Sequence, residues 1–334
     1  LIPGSVSGIT HYAVGVYEYE TGDSENAMSH LKSVNPENQF YSKALVYLGA
    51  LATKKKDYKE AVFYFEKAVQ LNAGKRDTYS QAELARLNLA RTLYSMGDIE
   101  RSVETYAQFL SSSPHWLTVL LEASWPLMRA NDTTVSLGNL HTVTSPYYRE
   151  DLVGEAYILR ATILYSLCKY EEMRRTLAAF MSIYDPVFRS MQAEQNSLGS
   201  PDAYFTALHD KKGINRSFVN YAMRDEGIQK SIRVYNLLKA ERQNLGRLGK
   251  NDQMNDWVRQ IDEAQKELAR DVGTVLQRLH KRKLNELMEQ REQANYLKVE
   301  IVTGEKEMIE GQKGLPPKRV VDVETSVSEG YRFW

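Results

Sequence analysis

Cysteine is almost missing from this chain: of 334 residues only Cys168 is one. Alone it cannot close an intrachain disulfide, form a CxxC redox pair or build a thiolate zinc site. Net charge is missing as well, since 43 Lys plus Arg balance 43 Asp plus Glu. General binding to nucleic acid or to anionic membranes needs a basic excess on some face, so neither is expected. Long hydrophobic runs are absent: the longest, Leu117 to Met128, is interrupted by Glu122 and is far short of the roughly 18 residues that span a bilayer. The six histidines, His11, His30, His115, His141, His209 and His280, show no HxH or HExxH spacing, so no metal-ligand pair is expected on one helix face. Proline is scarce at nine residues, while Ala, Leu, Glu, Lys, Arg and Gln, all good helix formers, abound. Helix is expected almost throughout.

What is present is ordinary for a folded protein, 43% hydrophobic and 26% charged residues. The length suggests two domains. Leu1 carries no initiator Met and no basic-then-apolar leader, which suggests a processed protein or an excised fragment. Gly4 to Gly8 is centred on Val6 and lacks the hydroxyl of a nucleophile elbow. Gly246 to Lys250 lacks the spacer and the Ser or Thr of a phosphate loop. The basic run Arg278 to Lys283 is followed by Glu286 and Glu289 on the same helix, which reads as a solvated face. No catalytic residue, cofactor or metal is expected.

An internal repeat is the strongest signal. Asp23, Asp57, Asp98 and Asp132, followed by Lys169, start similar segments at spacings of 34, 41, 34 and 37 residues. Gly15, Gly49, Ala90, Ser124 and Ala161 form a column of small residues; Ala27, Ala61, Ser102 and Ser136 form a second, which fails at Met173. Leu31, Phe65, Tyr106, Leu140 and Leu177 supply a large apolar partner. Such columns suit two antiparallel helices whose axes approach at the small positions while a bulky side chain fills the gap beside them.

These five units, about 8–40, 42–74, 83–115, 117–149 and 154–186, resemble the tetratricopeptide repeat (TPR), a helix-turn-helix that recurs every 34 residues. The resemblance covers roughly residues 8–186 and implies an all-α chain: a TPR superhelix, which is a right-handed α-solenoid, followed by extra helices and a long coiled-coil-like helix. Residues 187–249 are expected to close the array, 250–313 to form the long amphipathic helix and 314–334 an extended tail. The resemblance further implies that first helices line a concave groove, assigned here to Tyr12, Tyr19, Val46, Leu87, Arg91, Tyr94, Leu121, Trp125, Met128, Arg129 and Tyr165. A surface so apolar is expected to be filled, either by a partner's helix or by the chain's own helices after Pro186.

From Asp252 to about Gly304 apolar residues step by three and four, with a phase break expected near His280. The first half, with Trp257, Ile261, Leu268 and Val275, is expected to dock on its own chain. The second half is expected to project or to pair with another copy, giving self-association through residues 252–304. The aromatic end, Tyr331 to Trp334, should tuck into the body unless the natural chain continues. The functional expectation is a non-catalytic scaffold binding a peptide or amphipathic helix of another protein. In architecture it resembles bacterial cell-envelope assembly proteins, which implies a periplasmic or cell-envelope setting. The alternatives are a cytoplasmic regulator sensing a signalling peptide, or the accessory region of an enzyme whose catalytic part lies outside this chain.

Overall fold

The fold is given by a computed structural model that describes residues 4–72, 79–148, 150–246 and 252–310. Among the described residues every regular element is a helix, and no strand occurs. Five helical hairpins come first: α1 (Gly4–Thr21) with α2 (Ser24–Lys32), α3 (Tyr41–Lys54) with α4 (Tyr58–Asn72), and α5 (Tyr79–Met96) with α6 (Ile99–Ala107). Next are α7 (Trp116–Arg129) with α8 (Thr133–Val143) and α9 (Gly154–Ser166) with α10 (Tyr170–Ser197). Then follow α11 (Pro201–Asp210), α12 (Arg216–Ala222), α13 (Glu226–Leu245) and α14 (Asp252–Glu310).

The five hairpin turns are built alike. In each, a residue with positive φ closes the first helix: Gly22, Lys56, Gly97, Asn131 and Cys168. The next amide donates to the carbonyl five residues earlier: Asp23 to Glu18, Asp57 to Ala52, Asp98 to Leu93, Asp132 to Leu127 and Lys169 to Leu164, all at 2.8–2.9 Å. This is the six-to-one closure of a helix end. The same residue then starts the second helix. The carboxylates of Asp23, Asp57, Asp98 and Asp132 each accept from an amide three residues on, satisfying a donor that the helix cannot. Lys169 has no such side-chain bond. Glycine holds positive φ at no steric cost and Asn tolerates it, whereas Lys56 and Cys168 adopt it at roughly 1–2 kcal/mol. Packing of the flanking helices compensates for that strain.

That packing follows the two columns of small residues. A Cβ on Gly49 would lie 2.5 Å from the Phe65 ring, and one on Gly15 would lie 2.8 Å from Leu31. In the next two hairpins Ser102 donates to the Ala90 carbonyl at 2.9 Å and Ser136 to that of Ser124 at 2.9 Å. Leu31, Phe65, Tyr106, Leu140 and Leu177 are all buried. Met173, which breaks the small column, is buried too. Arg86 and Arg160 stand where apolar residues are expected; Arg86 lays its guanidinium over the Phe109 ring at 5.7 Å and Arg160 donates to Thr144 Oγ1 at 3.2 Å.

Two compact units result, one up to Val143 and one from Thr144 onward. The first holds four hairpins, in which α1, α3, α5 and α7 form a row of touching first helices. The second holds the fifth hairpin with α11 to α14, so the boundary falls inside the span 8–186 assigned to the array. The physical cause is α14, which packs on α9, α10, α11, α12 and α13 and gathers them around itself.

Several expectations for this unit are corrected. The fifth unit does not end at Pro186: α10 runs through it to Ser197. Pro186 lies on the exposed side of the helix, so the carbonyl deprived of a donor can be hydrated. Within residues 187–249, expected to close the array, a break at Met223 to Asp225 separates α12 from α13, and Asp225 accepts from Ile228 N to start α13. The long helix passes Gly304, reaches Glu310 and is 59 residues long, about 90 Å. No phase break occurs at His280, which is fully buried. Instead Gly273, Leu276, His280, Lys283, Leu287, Ala294, Leu297, Ile301 and Gly304 form one buried seam of three-four steps with a single step of seven from Leu287 to Ala294, where Gln290 and Arg291 are partly buried. Gly273 lets α14 meet the Pro201 backbone and Gly304 lets it meet the Tyr170 ring.

Both halves of α14 therefore pack on their own chain, the first as expected and the second instead of projecting. Trp257 and Val275, given to a docking seam, are 46% and 39% exposed, whereas Leu287, Ala294 and Ile301 of the second half are at most 1% exposed. The first half packs beside α13, tied by Arg242 to Asp262 and by Gln265 to the Tyr235 carbonyl. The expected extended tail, 314–334, with its aromatic end, lies outside the described residues.

Candidate functional site

In the first unit, aromatic side chains gather where the row of first helices begins. Tyr12 stacks on Phe40 with ring centroids 4.8 Å apart, and Tyr47 meets Tyr12 and Tyr19 edge-on at 6.2 and 5.1 Å. All three tyrosines are half-buried. Burial, then the neighbouring Tyr47 and Glu20, pushes the Tyr12 phenol up to about 12. Burial and Glu20 raise Tyr19 and Tyr47 in the same direction. These phenols stay protonated at neutral pH beside acidic Glu20. Tyr47 was not among the expected groove residues. Val46 was, yet it is turned into the core with Leu45 and Leu48. A one-residue step along a helix swings a side chain by about 100°, and the apolar character of Val46 is what a core position requires.

Further along the row lies a polar cluster. Arg91 grips Glu122 through two bonds, Nε to Oε2 at 2.8 Å and Nη2 to Oε1 at 2.7 Å, and also donates to Asn88 Oδ1 at 3.1 Å. Tyr106 donates to the same Glu122 at 3.1 Å. Burial, and then the Glu122 charge, raises the Tyr106 phenol well above its ordinary value. Paired planar groups of this kind are among the stronger side-chain contacts. Arg91 is thereby committed within the protein, and Glu122 was not foreseen as its partner. Arg129, by contrast, is exposed and lies over the Tyr94 ring at 5.6 Å. Leu121, Met128 and Tyr94 are half-buried; Leu87 and Trp125 are buried. Of the expected residues of this unit, Tyr12, Tyr19, Tyr94, Leu121, Met128 and Arg129 keep accessible surface.

In the second unit the expected groove residue Tyr165 is covered. It is 4% exposed, and its hydroxyl donates to Glu300 of α14 at 2.8 Å. Arg174 holds Glu305 at 2.6 and 2.7 Å, and Arg291 donates to Asp185 at 2.7 Å while stacking over Phe188 at 4.3 Å. Of the two fillers the sequence allows, this hairpin takes the chain's own helix.

The deepest polar network of this unit centres on His280. Its Nε2 lies 3.2 Å from Glu194 Oε2 and its Nδ1 lies 3.4 Å from the Tyr204 hydroxyl, with Phe218 edge-on at 4.8 Å. Ser190 donates to Glu194 Oε1 at 2.6 Å. Burial by itself raises the Glu194 carboxyl, but hydrogen bonds from His280, Ser190 and the Asn215 amide outweigh it and hold the group below its ordinary 4.5. A depressed carboxylate stabilises the fold above the unfolded value, and that contribution is lost as pH falls through the folded one. Glu194→Gln is accordingly expected to lower the melting temperature at pH 7 and to flatten the acid limb of the second unit's stability below about pH 4.5, read by circular dichroism melts across pH.

Among the described residues no group of three His, Cys, Asp or Glu side chains is placed to hold a metal ion. No helix among them is long and apolar enough to cross a membrane. His11 and His30, 19 residues apart in sequence, meet with Nδ1 atoms 3.1 Å apart, a pairing that motif spacing could not show.

Models of the tetratricopeptide repeat match residues 42–74 and 84–115, the hairpins α3/α4 and α5/α6 with its following loop. The chain carries tetratricopeptide repeats. The repeated turn, with its positive-φ residue and six-to-one closure, extends the same geometry to the α1/α2, α7/α8 and α9/α10 hairpins, which those models do not reach. No curated protein matches the sequence. Among solved structures, the apo form of RapI is similar with a TM-score of 0.46 and 12% identity, covering 78% of this chain and 98% of that one. The Rap conjugation gene regulator of the plasmid pLS20, in complex with the Phr* peptide, is similar with a TM-score of 0.39 and 11% identity, covering 78% and 74%.

Proposed function

We propose that the chain is a non-catalytic recognition protein whose first unit binds a short extended peptide along α1, α3, α5 and α7. The observation that carries this reading is the contrast between the two units. The hairpin of the second is covered by α14, whereas the row of first helices in the first keeps Tyr12, Tyr19, Tyr47 and Tyr94 half-exposed. Aromatic side chains with a polar tip give large contact area at small entropic cost and dominate many interfaces. Four first helices at about 10 Å spacing offer roughly 30 Å, the length of about nine extended residues. The phenol cluster beside Glu20 favours a peptide segment that brings carbonyl acceptors and a basic side chain. A peptide of that size suits a regulator responding to a signalling peptide. The cell-envelope setting has no support from any residue of the site and is not carried forward.

The test is a photoreactive amino acid placed at Tyr19 or at Tyr94 in cells, with Phe63, 57% exposed on a second helix, as control. Adducts of one peptide from the first two positions but not from Phe63 are expected. Equal labelling at Phe63, or labelling there alone, would overturn the reading. With that peptide in hand, Tyr12→Ala with Tyr19→Ala should weaken binding by about 2 kcal/mol or more in a fluorescence titration while leaving the helix content intact.

A further inference from the structure

The row of first helices in the first unit carries opposite charges at its two ends. On α1, Glu20 is exposed and stands close enough to Tyr12, Tyr19 and Tyr47 to act on all three phenols. On α7, Arg129 is exposed as well and lies over the Tyr94 ring. Among the described residues neither charge is held in an ion pair or a hydrogen bond. Arg91, the cation between them, is committed to Glu122. A ligand seated along the row is therefore selected for polarity, with a cation and aromatic groups at α1 and an anion at α7. At about 10 Å per helix those two ends are roughly 30 Å apart.

The chain itself contains a segment of that kind. Residues 322–334, outside the described residues, carry Asp322 and Glu324 at one end and Tyr331, Arg332, Phe333 and Trp334 at the other. An extended chain at about 3.3 Å per residue sets Arg332 about 26 Å from Glu324 and about 33 Å from Asp322, which brackets the span of the row. Side chains alternate along such a chain, so Asp322, Glu324, Arg332 and Trp334 share one face while Glu329 takes the other. We infer that residues 322–334 of this chain lie along α1, α3, α5 and α7 as the resident occupant of the row. Arg332 then meets Glu20, Trp334 joins the tyrosines, and the Asp322 to Glu324 end meets Arg129. The reverse direction would set Arg332 against Arg129 and Glu324 against Glu20, which like-charge repulsion disfavours. The inference rests on the peptide-binding reading and adds its regulation, because an incoming peptide must displace the segment. Little intrinsic affinity is needed, since a tether sets an effective concentration near the millimolar range.

The test uses the purified whole chain with no peptide added. A benzophenone side chain replaces Phe333 in one preparation and Val323 in another, and the adducts formed on irradiation are mapped by mass spectrometry. Links within one chain are expected, from position 333 to α1 or α3 and from position 323 to α7. Glu20→Arg should reduce the first link by about fivefold or more, and Arg332→Glu in the same chain should restore it, a rescue that misfolding cannot give. Links to α9 to α14 instead, links only between chains, no links, or a yield indifferent to both charge changes would each overturn the inference. Because no peptide is present, such a failure leaves adducts of a foreign peptide at Tyr19 and Tyr94, and with them the peptide-binding reading, standing. The converse pattern, these links together with equal foreign labelling at Phe63, would support the resident segment and fail that reading alone. With the foreign peptide in hand, Arg332→Glu alone should tighten its binding by about threefold or more, since a site open only part of the time binds with proportionally lower apparent affinity. An unchanged affinity would overturn the displacement.

Discussion

Replacing Phe65 by alanine is expected to destabilise the first unit by about 3–5 kcal/mol, the range for truncating a fully buried aromatic side chain. Phe65 is 0% exposed and its ring lies against the bare backbone of Gly49, where even a methyl group would clash. The void could not be refilled locally. Gly49 has no side chain to advance, and α3 and α4 are held at their shared end by the Lys56 turn and the Asp57 cap. Chemical denaturation followed by circular dichroism measures the loss. A value under about 1 kcal/mol would mean that Phe65 is not the knob of this hairpin, and the repeat register would have to be redrawn.

Leu287→Ala combined with Ile301→Ala is expected to have the largest effect of all, and on the second unit. Each truncation of a buried leucine or isoleucine costs about 2–5 kcal/mol. The sum approaches the 5–15 kcal/mol that holds a typical domain together. Both side chains belong to the inner seam of α14, at 0% and 1% exposure, and they lie two heptads apart, too far to compensate for one another. Differential scanning calorimetry should show one transition moved sharply down or lost, and the shift should not depend on protein concentration. A loss that vanished on dilution, or a change in mass with no change in melting, would instead assign the seam to a second copy. A second half that merely projected could be removed with the array unharmed, which this packing excludes. Tyr165, Arg174 and Asp185 of the fifth hairpin all bond to that stretch.

The α14 seam shows why one part of the fold was legible in the sequence and another was not. Apolar periodicity pointed to Trp257, Ile261, Leu268 and Val275 because they are large. Burial instead follows His280, Lys283, Ala294 and Gly304, residues that a hydropathy pattern scores as polar, weak or helix-breaking. Each is inside for a reason supplied by another segment. Glu194 and Tyr204 satisfy the imidazole, and Glu286 and the Tyr221 ring take the Lys283 ammonium. Tyr170 occupies the space that the Gly304 side chain would need. In the same way Arg86 looked misplaced until Phe109 came beneath it.

The repeats were determined locally, and so the chain by itself was enough to reveal them. A small residue, an Asp cap and a bulky knob lie within one hairpin, and they recur because each hairpin solves the same packing problem with its own residues. The helices before and after each turn, the capping role of Asp23, Asp57, Asp98 and Asp132, and the burial of Phe65 all follow from spacing and side-chain size. Pairings between distant segments are another matter. That Arg91 spends both arms on Glu122, that Tyr47 rather than Val46 joins the tyrosine cluster, and that α14 covers Tyr165 depend on which residues three-dimensional packing brings within a few ångströms. A hydrogen bond or an ion pair leaves no periodic trace in a sequence, because its partners can be 31 or 135 residues apart. Only the tertiary structure decides where those partners meet.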